Sequence, residues 1–507
     1  MSFEHGSNAG QAGGWHPESR WWLIPAVALK LILALILSWQ SSRLFDRPFQ
    51  LYNDAGDTDS YLRPIEQLLA TGRYIADPDN PDSAAGRMPG YGFTYLAFRL
   101  FLSADASKTA LAVVQATLSG VSVYYLALCA FLLFRRRDTF CAALLLYGMN
   151  LFVSVWDNYI ITESLAASTT IFFVYSLLQY REQVGRARLL HAAFFYAYLV
   201  FLRPFTVPMF LAAALIVWSV HRSTERRFRA TIRDLFLVAS LFVACAAVWM
   251  LRNYAVLGRV IPLQVNTTAG YQYTKGQLAL LGWLGAIGQD PTWWQPNTMA
   301  SWFYKDARFT NENYQIPNYV VTATCSLADM RRARELFVAA RATADGREHT
   351  RLESELLPII TECRDSFRRE KPVAHYVMSP LRLMKSVLVH GGPVLPMPPL
   401  AELRHQPTML FLKLAAVGLY WLALVTGGFG LFVLLRRSLV GWAIAWPFVF
   451  VLLFFGFVMR LGEGRFLVTG FPSLCIGGAH VLASAARTLI DRFRPRLGLD
   501  PHPSSSP

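Results

Sequence analysis

The chain contains 507 residues, of which 54% are hydrophobic and 16% charged, and its mean hydropathy is +0.32. These values exclude a typical soluble domain and predict an all-α protein that crosses a membrane many times. The net charge of +15 would also suit a nucleic-acid-binding protein. An excess of Lys and Arg on cytoplasmic loops explains it equally well, so no nucleic acid is expected as a partner.

The first element is an apolar run at 21–40, which follows a polar stretch at 1–20 that is predicted to be a disordered cytoplasmic N-terminus. Since no small-residue cleavage site follows the run, we predict an uncleaved span. When the Arg-rich loops are placed in the cytoplasm, about ten spans result, within a range of roughly nine to thirteen. They are predicted at 21–40, 109–134, 139–153, 164–180, 189–202, 204–220, 235–251, 408–435, 439–459 and 466–486.

This topology divides the chain into successive parts. An N-terminal membrane module at 21–251 includes a first outer loop at 41–108, and a large outer segment follows at 252–407. The C-terminal spans occupy 408–486, and 487–507 is predicted to be a cytoplasmic tail. Both termini then lie on the cytoplasmic side of the membrane.

The first outer loop carries three acids close together, Asp54, Asp57 and Asp59. A helix is predicted after them at 62–74, and the short apolar segment 90–102 is predicted to lie in the outer membrane surface. A carboxylate at such a surface can take a proton from a hydroxyl group, and Asp57 is the main candidate, with Asp54 and Asp59 as alternatives. Helix capping is the other interpretation of these acids.

Two further observations concern acids. Glu163 follows a short outer loop and begins an apolar stretch, where a carboxylate serves either as a helix cap or as a site group. The triplet from Asp57 to Asp59 also matches the Asp-x-Asp pattern with which nucleotide-sugar enzymes hold a divalent metal. Nucleotide sugars occur on the cytoplasmic side, so we assign no metal ligand and no certain cofactor, and leave a divalent metal open.

Four arginines are predicted on the outer side, although Lys and Arg are usually more frequent in the cytoplasmic loops of membrane proteins. They are Arg87, Arg203, Arg252 and Arg465. The planar guanidinium group binds phosphate through two parallel hydrogen bonds, so these residues are candidate phosphate ligands. Ion pairs with Glu163 or Glu463, or contacts with lipid head groups, are the alternative.

The large outer segment is predicted to contain two soluble helices, 327–344 and 350–371, which form a hairpin. The hairpin would bring Cys325 and Cys363 opposite each other, which predicts a disulfide in an oxidising compartment, with two free thiols as the alternative. The segment 376–389 is predicted as another interfacial helix. Tryptophans in this part could stack on a sugar or line the membrane interface; they are Trp283, Trp293, Trp294 and Trp302.

Five stretches, in this order, resemble the GT-C superfamily of glycosyltransferases that use polyprenyl-phosphate sugars. The nearest relatives would be bacterial proteins similar to protein O-mannosyltransferases and lipid A aminoarabinose transferases. The stretches are Gly56-Asp57-Thr58-Asp59-Ser60-Tyr61, Arg87-Met88-Pro89-Gly90-Tyr91, Ile161-Thr162-Glu163-Ser164, Trp249-Met250-Leu251-Arg252-Asn253-Tyr254 and Glu463-Gly464-Arg465-Phe466. Together they span roughly 20–270 and 410–485, and the helical hairpin has no counterpart.

The resemblance implies an inverting transferase in a bacterial inner membrane with its active site facing the periplasm. It implies that Asp57 acts as base or positions the acceptor, and that Glu163 is a second acid near the donor. Arg87, Arg252 and Arg465 match basic positions that meet the lipid phosphate. Substrate contacts are expected from Tyr61, Tyr91, Asp54 and Asp59. The family often has Glu where this chain has Thr58, so a second carboxylate is missing from that position, and Asp59 is the residue that could substitute for it.

The expected function is therefore transfer of a sugar from a polyprenyl phosphate to a periplasmic lipid, glycan or protein. A transporter or flippase of lipid-linked sugars is one rival, but transporters tend to show internal repeats and charges at the membrane midplane. The second rival is a membrane protein that binds polyprenyl lipid without catalysis.

Overall fold

The structure, a computed structural model, describes residues 20–44, 46–223, 227–265, 273–292, 297–305, 310–389, 403 and 407–493. Within this part of the chain the regular elements are helices, and the one extended pairing is an isolated parallel bridge between Asn53 and Tyr159. The all-α prediction is confirmed. The predicted disordered N-terminus lies almost entirely outside the described residues.

Seven helices among the described residues are long and apolar enough to cross a membrane. They are α1 (Leu23–Leu44), α4 (Ala104–Phe134), α9 (Phe210–His221) together with the 3-10 turn Pro204–Met209, α10 (Arg227–Leu257), α16 (Pro407–Arg437), α17 (Leu439–Leu453) together with the π turn Phe454–Val458, and α18 (Phe471–Phe493). An eighth candidate is the pair α5 (Arg137–Gly148) and α6 (Leu151–Ser154), which with a short turn to Asp157 is bent by 47°.

The other two predicted spans are also helices, α7 (Glu163–Glu182) and α8 (Arg186–Leu202). The 17 residues of α8 are few for a span. Most of α7 is buried, and it packs against α4 and α8. Since its neighbours are protein rather than lipid, α7 tolerates the polar residues that lower its hydropathy. Each of the ten predicted spans thus corresponds to a helix or a bent pair.

Two predicted span boundaries at the C-terminus differ from the ends of the helix in the structure. Residues Gly464–Thr469 form a 3-10 turn, so the last span begins at Phe471 instead of 466. Pro472 then stands in the first turn of α18, where proline is tolerated. The helix continues to Phe493, so the first residues of the predicted tail belong to it; the rest of that tail lies outside the described residues.

The first outer loop contains α2 (Thr58–Thr71) and α3 (Pro89–Arg99). The first begins earlier than predicted, with Asp57 at its N-cap position, and Gly72 ends it in the left-handed conformation with φ 74°. The second packs directly on α8, because a Cβ at Gly90 would lie 2.6 Å from the backbone of Phe201. These contacts fix the loop against the bundle.

The outer segment contains α11 (Lys275–Ile287), α12 (Met299–Tyr304), α13 (Leu327–Ala342), α14 (Gly346–Glu370) and α15 (Ser379–Leu388). The predicted hairpin is α13 and α14, and Asp345 caps the second helix through the backbone N–H of Arg347. The sulfurs of Cys325 and Cys363 are bonded, with Cα atoms 5.0 Å apart. Trp283 and Trp302 are buried in the core of this segment, so neither offers a face to a sugar. Trp293 and Trp294 lie outside the described residues.

Candidate active site

The candidate site lies where several helices begin or end at one end of the bundle. Asp57 precedes α2, Glu163 is the first residue of α7, Arg203 follows α8, and Arg465 lies in the turn before α18. Backbone hydrogen bonds hold two of these termini together: Asn53 N–H donates to the Asn158 carbonyl over 2.8 Å. Thr58 Oγ1 also donates to the Ile160 carbonyl over 2.9 Å. The segment before α2 is thereby aligned with the segment before α7.

Arg465 is the centre of the cluster. Its Nη1 lies 2.7 Å from Asp57 Oδ2, and its Nε lies 2.7 Å from Glu463 Oε1 and 3.7 Å from Glu163 Oε1. Burial by itself would lower the pKa of Arg465, but the charges of the three carboxylates outweigh it and raise that pKa well above its usual value. One guanidinium group therefore links three acids from three separate segments.

Arg203 and Glu163 form a second, deeper ion pair through Nη2 and Oε1, with 5% and 2% of their side chains exposed. Arg203 Nε also donates to Thr162 Oγ1 over 2.8 Å. Its third nitrogen, Nη1, is buried and has no hydrogen-bond partner among the described residues. Such an unsatisfied donor is rare and costly inside a protein, so this nitrogen is available to a ligand oxygen.

Arg87 approaches the cluster from the start of α3. Its Nη2 lies 3.7 Å from Asp57 Oδ1, and its Nε donates to Ser60 Oγ over 2.9 Å. The guanidinium carbon lies 4.5 Å from the centre of the Tyr61 ring. That ring in turn packs edge-on against Tyr91 at 5.4 Å. Both tyrosines therefore lie beside Asp57.

The capping interpretation of Asp57 is not supported, because its side chain makes no cap hydrogen bond. Asp54 instead pairs with Lys108 over 2.9 Å, away from the arginines. Asp59 is exposed in the first turn of α2, where a negative charge favours the helix dipole. Of the three acids in the first loop, Asp57 alone has a described ion pair with the site arginines.

Arg252 does not join the cluster. Its guanidinium donates to the carbonyls of Ala84 and Tyr74 over 2.6 and 2.5 Å and lies over the rings of Tyr74 and Trp249. It lines a groove of about 1450 Å³ between α2, α3, α8 and α10. Pro89, two residues after Arg87, lines the same groove. The groove therefore reaches the edge of the arginine cluster.

The sequence places Glu463 in the fifth stretch of the resemblance and predicts it as an ion-pair partner, but assigns it no role in the reaction. Its side chain is 16% exposed. Burial raises its pKa to about 7; the positive charge of Arg465 opposes this shift, and Asp290, Asp57 and Glu163 reinforce it. Glu463 and Arg465 lie two residues apart in the sequence, and this spacing is the available signal, but the other acids come from distant segments.

No group of three or more His, Cys, Asp or Glu residues among those described is arranged to hold a metal ion. In the Asp-x-Asp triplet, Asp57 faces arginines while Asp59 is exposed. The described carboxylates of the cluster are each in contact with a guanidinium group. Their surroundings fit ion pairs with arginine, and the triplet does not offer a pair of convergent metal ligands.

No family model matches this chain, and no curated protein matches it in sequence. Among solved structures it is similar to the archaeal oligosaccharyltransferase AglB from Archaeoglobus fulgidus in complex with an inhibitory peptide and a dolichol-phosphate, with 13% identity, a TM-score of 0.45 and coverage of 96% of this chain and 52% of that chain. The chain thus spans about half the length of that protein.

It is also similar to ArnT from Cupriavidus metallidurans bound to undecaprenyl phosphate, with 13% identity, a TM-score of 0.34 and coverage of 96% of this chain and 82% of that chain. For the apo state of ArnT the TM-score is 0.30, again at 13% identity, with coverage of 96% and 81%. Identities and TM-scores this low do not define an activity, which has to be argued from the site itself.

Proposed function

We propose that this chain is an integral membrane glycosyltransferase that moves a sugar from a polyprenyl phosphate to an acceptor hydroxyl. The observation that carries the proposal is the buried Nη1 of Arg203, which lacks a hydrogen-bond partner among the described residues. It belongs to a cluster in which Arg87, Arg203 and Arg465 converge. Phosphate oxygens are the acceptors that guanidinium groups bind best.

The groove explains why the phosphate would belong to a lipid. Its lining is mainly apolar and includes Phe93, Phe201, Val248 and Leu257 from α3, α8 and α10. α10 is one of the candidate spans, so the groove is at membrane depth and suits a long hydrocarbon chain. Tyr74 connects the two regions, because it lines the groove and its hydroxyl donates to the Arg87 carbonyl over 3.3 Å.

The chemistry follows from this arrangement. In the donor, the sugar is attached to a phosphate that leaves as a polyprenyl phosphate, so no nucleotide is required outside the cytoplasm. The arginines stabilise the negative charge that develops on the leaving phosphate. A carboxylate of the cluster takes the proton of the acceptor hydroxyl, and the resemblance assigns this role to Asp57. A single displacement inverts the anomeric carbon.

The same geometry supports a periplasmic site in a bacterial inner membrane. The site arginines lie at one end of the bundle. Arg135, Arg181 and Arg487 lie at or near the opposite ends of α4, α7 and α18. The positive-inside rule then assigns that opposite end to the cytoplasm. The acceptor, whether lipid, glycan or protein, meets the donor at the outer surface, beside the segment 273–389.

Transfer of radiolabelled sugar from a panel of polyprenyl-phosphate sugars in proteoliposomes tests this function. Arg87→Gln is the test variant, because Arg87 is 21% exposed and its loss leaves no fully buried carboxylate alone. Arg332→Gln, on the exposed face of α13, is the matched control. We expect transfer by the wild type and the control, and a rate lower by about 100-fold in Arg87→Gln.

Three results would contradict the proposal or redirect it. Movement of labelled lipid across the membrane without sugar transfer would make the chain a flippase. Binding of polyprenyl phosphate with neither transfer nor movement would make it a lipid-binding scaffold. Full activity of Arg87→Gln would show that Arg87 does not contribute to the binding of the donor phosphate.

A further inference from the structure

Glu463 differs from the other carboxylates of the cluster in how its oxygens are used. Oε1 pairs with Arg465, whereas Oε2 has no described partner, and the side chain remains 16% exposed. In Asp57, Oδ2 faces Arg465 and Oδ1 faces Arg87. Glu163 is 2% exposed and bound to Arg203. An acceptor hydroxyl can therefore reach an oxygen of Glu463 more easily than one of Glu163.

The charges around Glu463 come from Arg465 in its own turn and from three other segments. Arg465 attracts its charged form, while Asp57 at α2, Glu163 at α7 and Asp290 after α11 repel it. The phenol of Tyr273 also faces this group of charges. Burial and the neighbouring acids bring the pKa of Glu463 to about 7. A general base is most effective when its pKa lies near the pH at which the enzyme works. By contrast, both oxygens of Asp57 lie beside guanidinium groups, Oδ1 beside Arg87 and Oδ2 beside Arg465.

Building on the proposed transferase, we propose that Glu463 is the catalytic base that accepts the proton of the acceptor hydroxyl. The acceptor oxygen forms a bond to the anomeric carbon as the bond from that carbon to the phosphate oxygen breaks. The electron pair of the broken bond leaves with the polyprenyl phosphate, and the proton of the hydroxyl goes to Glu463.

This assignment keeps the charge of the buried site constant. Before transfer the donor phosphodiester carries one negative charge and Glu463 another. After transfer the phosphate monoester carries two and Glu463 is neutral. A reaction that adds a charge to the phosphate while removing one from a neighbouring carboxylate avoids a net increase of buried negative charge. Asp57 is then a positioning residue, which orients Arg465 toward the phosphate.

The decisive experiment measures sugar transfer against pH for the full chain in proteoliposomes. Four proteins are compared: wild type, Glu463→Gln, Asp57→Asn and Glu335→Gln, the last being an exposed control on α13. We expect the wild-type rate to rise through a midpoint near pH 7, in line with the pKa of Glu463 of about 7. In Glu463→Gln we expect a rate lower by about 100-fold or more and the loss of this pH dependence. Asp57→Asn should be slower but keep the midpoint.

Two further measurements separate catalysis from folding. Binding of undecaprenyl phosphate should be retained by Glu463→Gln, and added formate should partly restore transfer by Glu463→Ala. Wild-type turnover in Glu463→Gln, or loss of the midpoint in Asp57→Asn alone, would overturn the assignment but keep the transferase. A wild type that transfers no sugar from any donor would overturn both.

Discussion

Lys30 of α1 and Asp157, which follows α6, form an ion pair inside the bundle, with Nζ and Oδ2 3.6 Å apart and no more than 1% of either side chain exposed. Lys30 Nζ also donates to Ser154 Oγ over 2.7 Å, and Ser164 Oγ donates to Asp157 Oδ1 over 2.6 Å. The pair therefore ties α1 to the segment that ends at Glu163, and so supports one wall of the candidate site.

Removing one partner of this pair should destabilise the fold. Lys30→Met would leave the Asp157 carboxylate buried without its cation, which costs about 3–5 kcal/mol. We expect a lower melting temperature in detergent. It is measured by size-exclusion chromatography, as the temperature at which heating removes the monodisperse peak. The double variant Lys30→Met with Asp157→Leu should recover much of the loss, because buried pairs can be replaced by apolar residues. Equal melting temperatures for the wild type and the single variant would contradict this prediction.

Arg465 should not be replaceable by lysine. The guanidinium reaches Asp57 through Nη1 and Glu463 through Nε, and a single ammonium group cannot reproduce this geometry. If the chain is a transferase, Arg465→Lys should lower kcat by about 100-fold, since it misplaces a cation that stabilises the transition state. Arg487→Lys, at the opposite end of α18, is the control. Similar kcat values for the two variants would count against a role of Arg465 in the reaction.

The ionisation of Glu463 should lower the free energy of unfolding of the protein as the pH rises. Its folded-state pKa of about 7 is above the ordinary value of 4.5, so between these values the folded state binds more protons than the unfolded state. Glu463 therefore does not lower the free energy of unfolding at low pH, and it lowers this free energy increasingly as the pH rises from about 4.5 to about 7. Glu463→Gln should be more stable than the wild type at pH 8, by up to about 2–3 kcal/mol. Melting temperatures at pH 5 and 8 check this, and a larger gain at pH 5 would contradict it.

The disulfide should stabilise the outer segment. Cys325 and Cys363 are separated by 38 residues, and closing a loop of this size contributes about 2–4 kcal/mol. Cys325→Ser should lower the temperature at which the hairpin of α13 and α14 becomes susceptible to protease. Cys245→Ser, a change at a free cysteine in α10, is the control. Protection that is unaffected by Cys325→Ser or by a reducing agent would show that the bridge is unimportant.

Filling the groove should weaken lipid binding. Ala244 lines the groove on α10, whereas its neighbour Val243 does not and is 57% exposed. Ala244→Trp should raise the Kd for undecaprenyl phosphate by about tenfold or more, equal to ~1.4 kcal/mol, because the indole takes up space needed by the chain. Val243→Trp is the matched control. Equal Kd values for the two variants would place the lipid elsewhere.

Much of the fold follows from local patterns in the sequence. Apolar runs and Arg-rich loops predict the ten helical spans, and the spacing around Gly72 predicts the end of α2. The ends of the last helix differ from the predicted boundaries near 466 and 486, because a 3-10 turn and a continued helix depend on tertiary packing. The bend between α5 and α6 was likewise not apparent from the composition.

The sequence by itself predicted that acids and arginines gather at one membrane boundary, because they lie within or next to the ends of apolar runs. The tertiary structure decided which of them meet. Arg465 contacts Asp57, which is far away along the chain, whereas Arg252 turns to the backbone of Tyr74 and Ala84. The structure also decided that Glu463 lies among three other acids. Helix formation depends on neighbouring residues, whereas ion pairing and burial depend on segments that only the folded chain brings together.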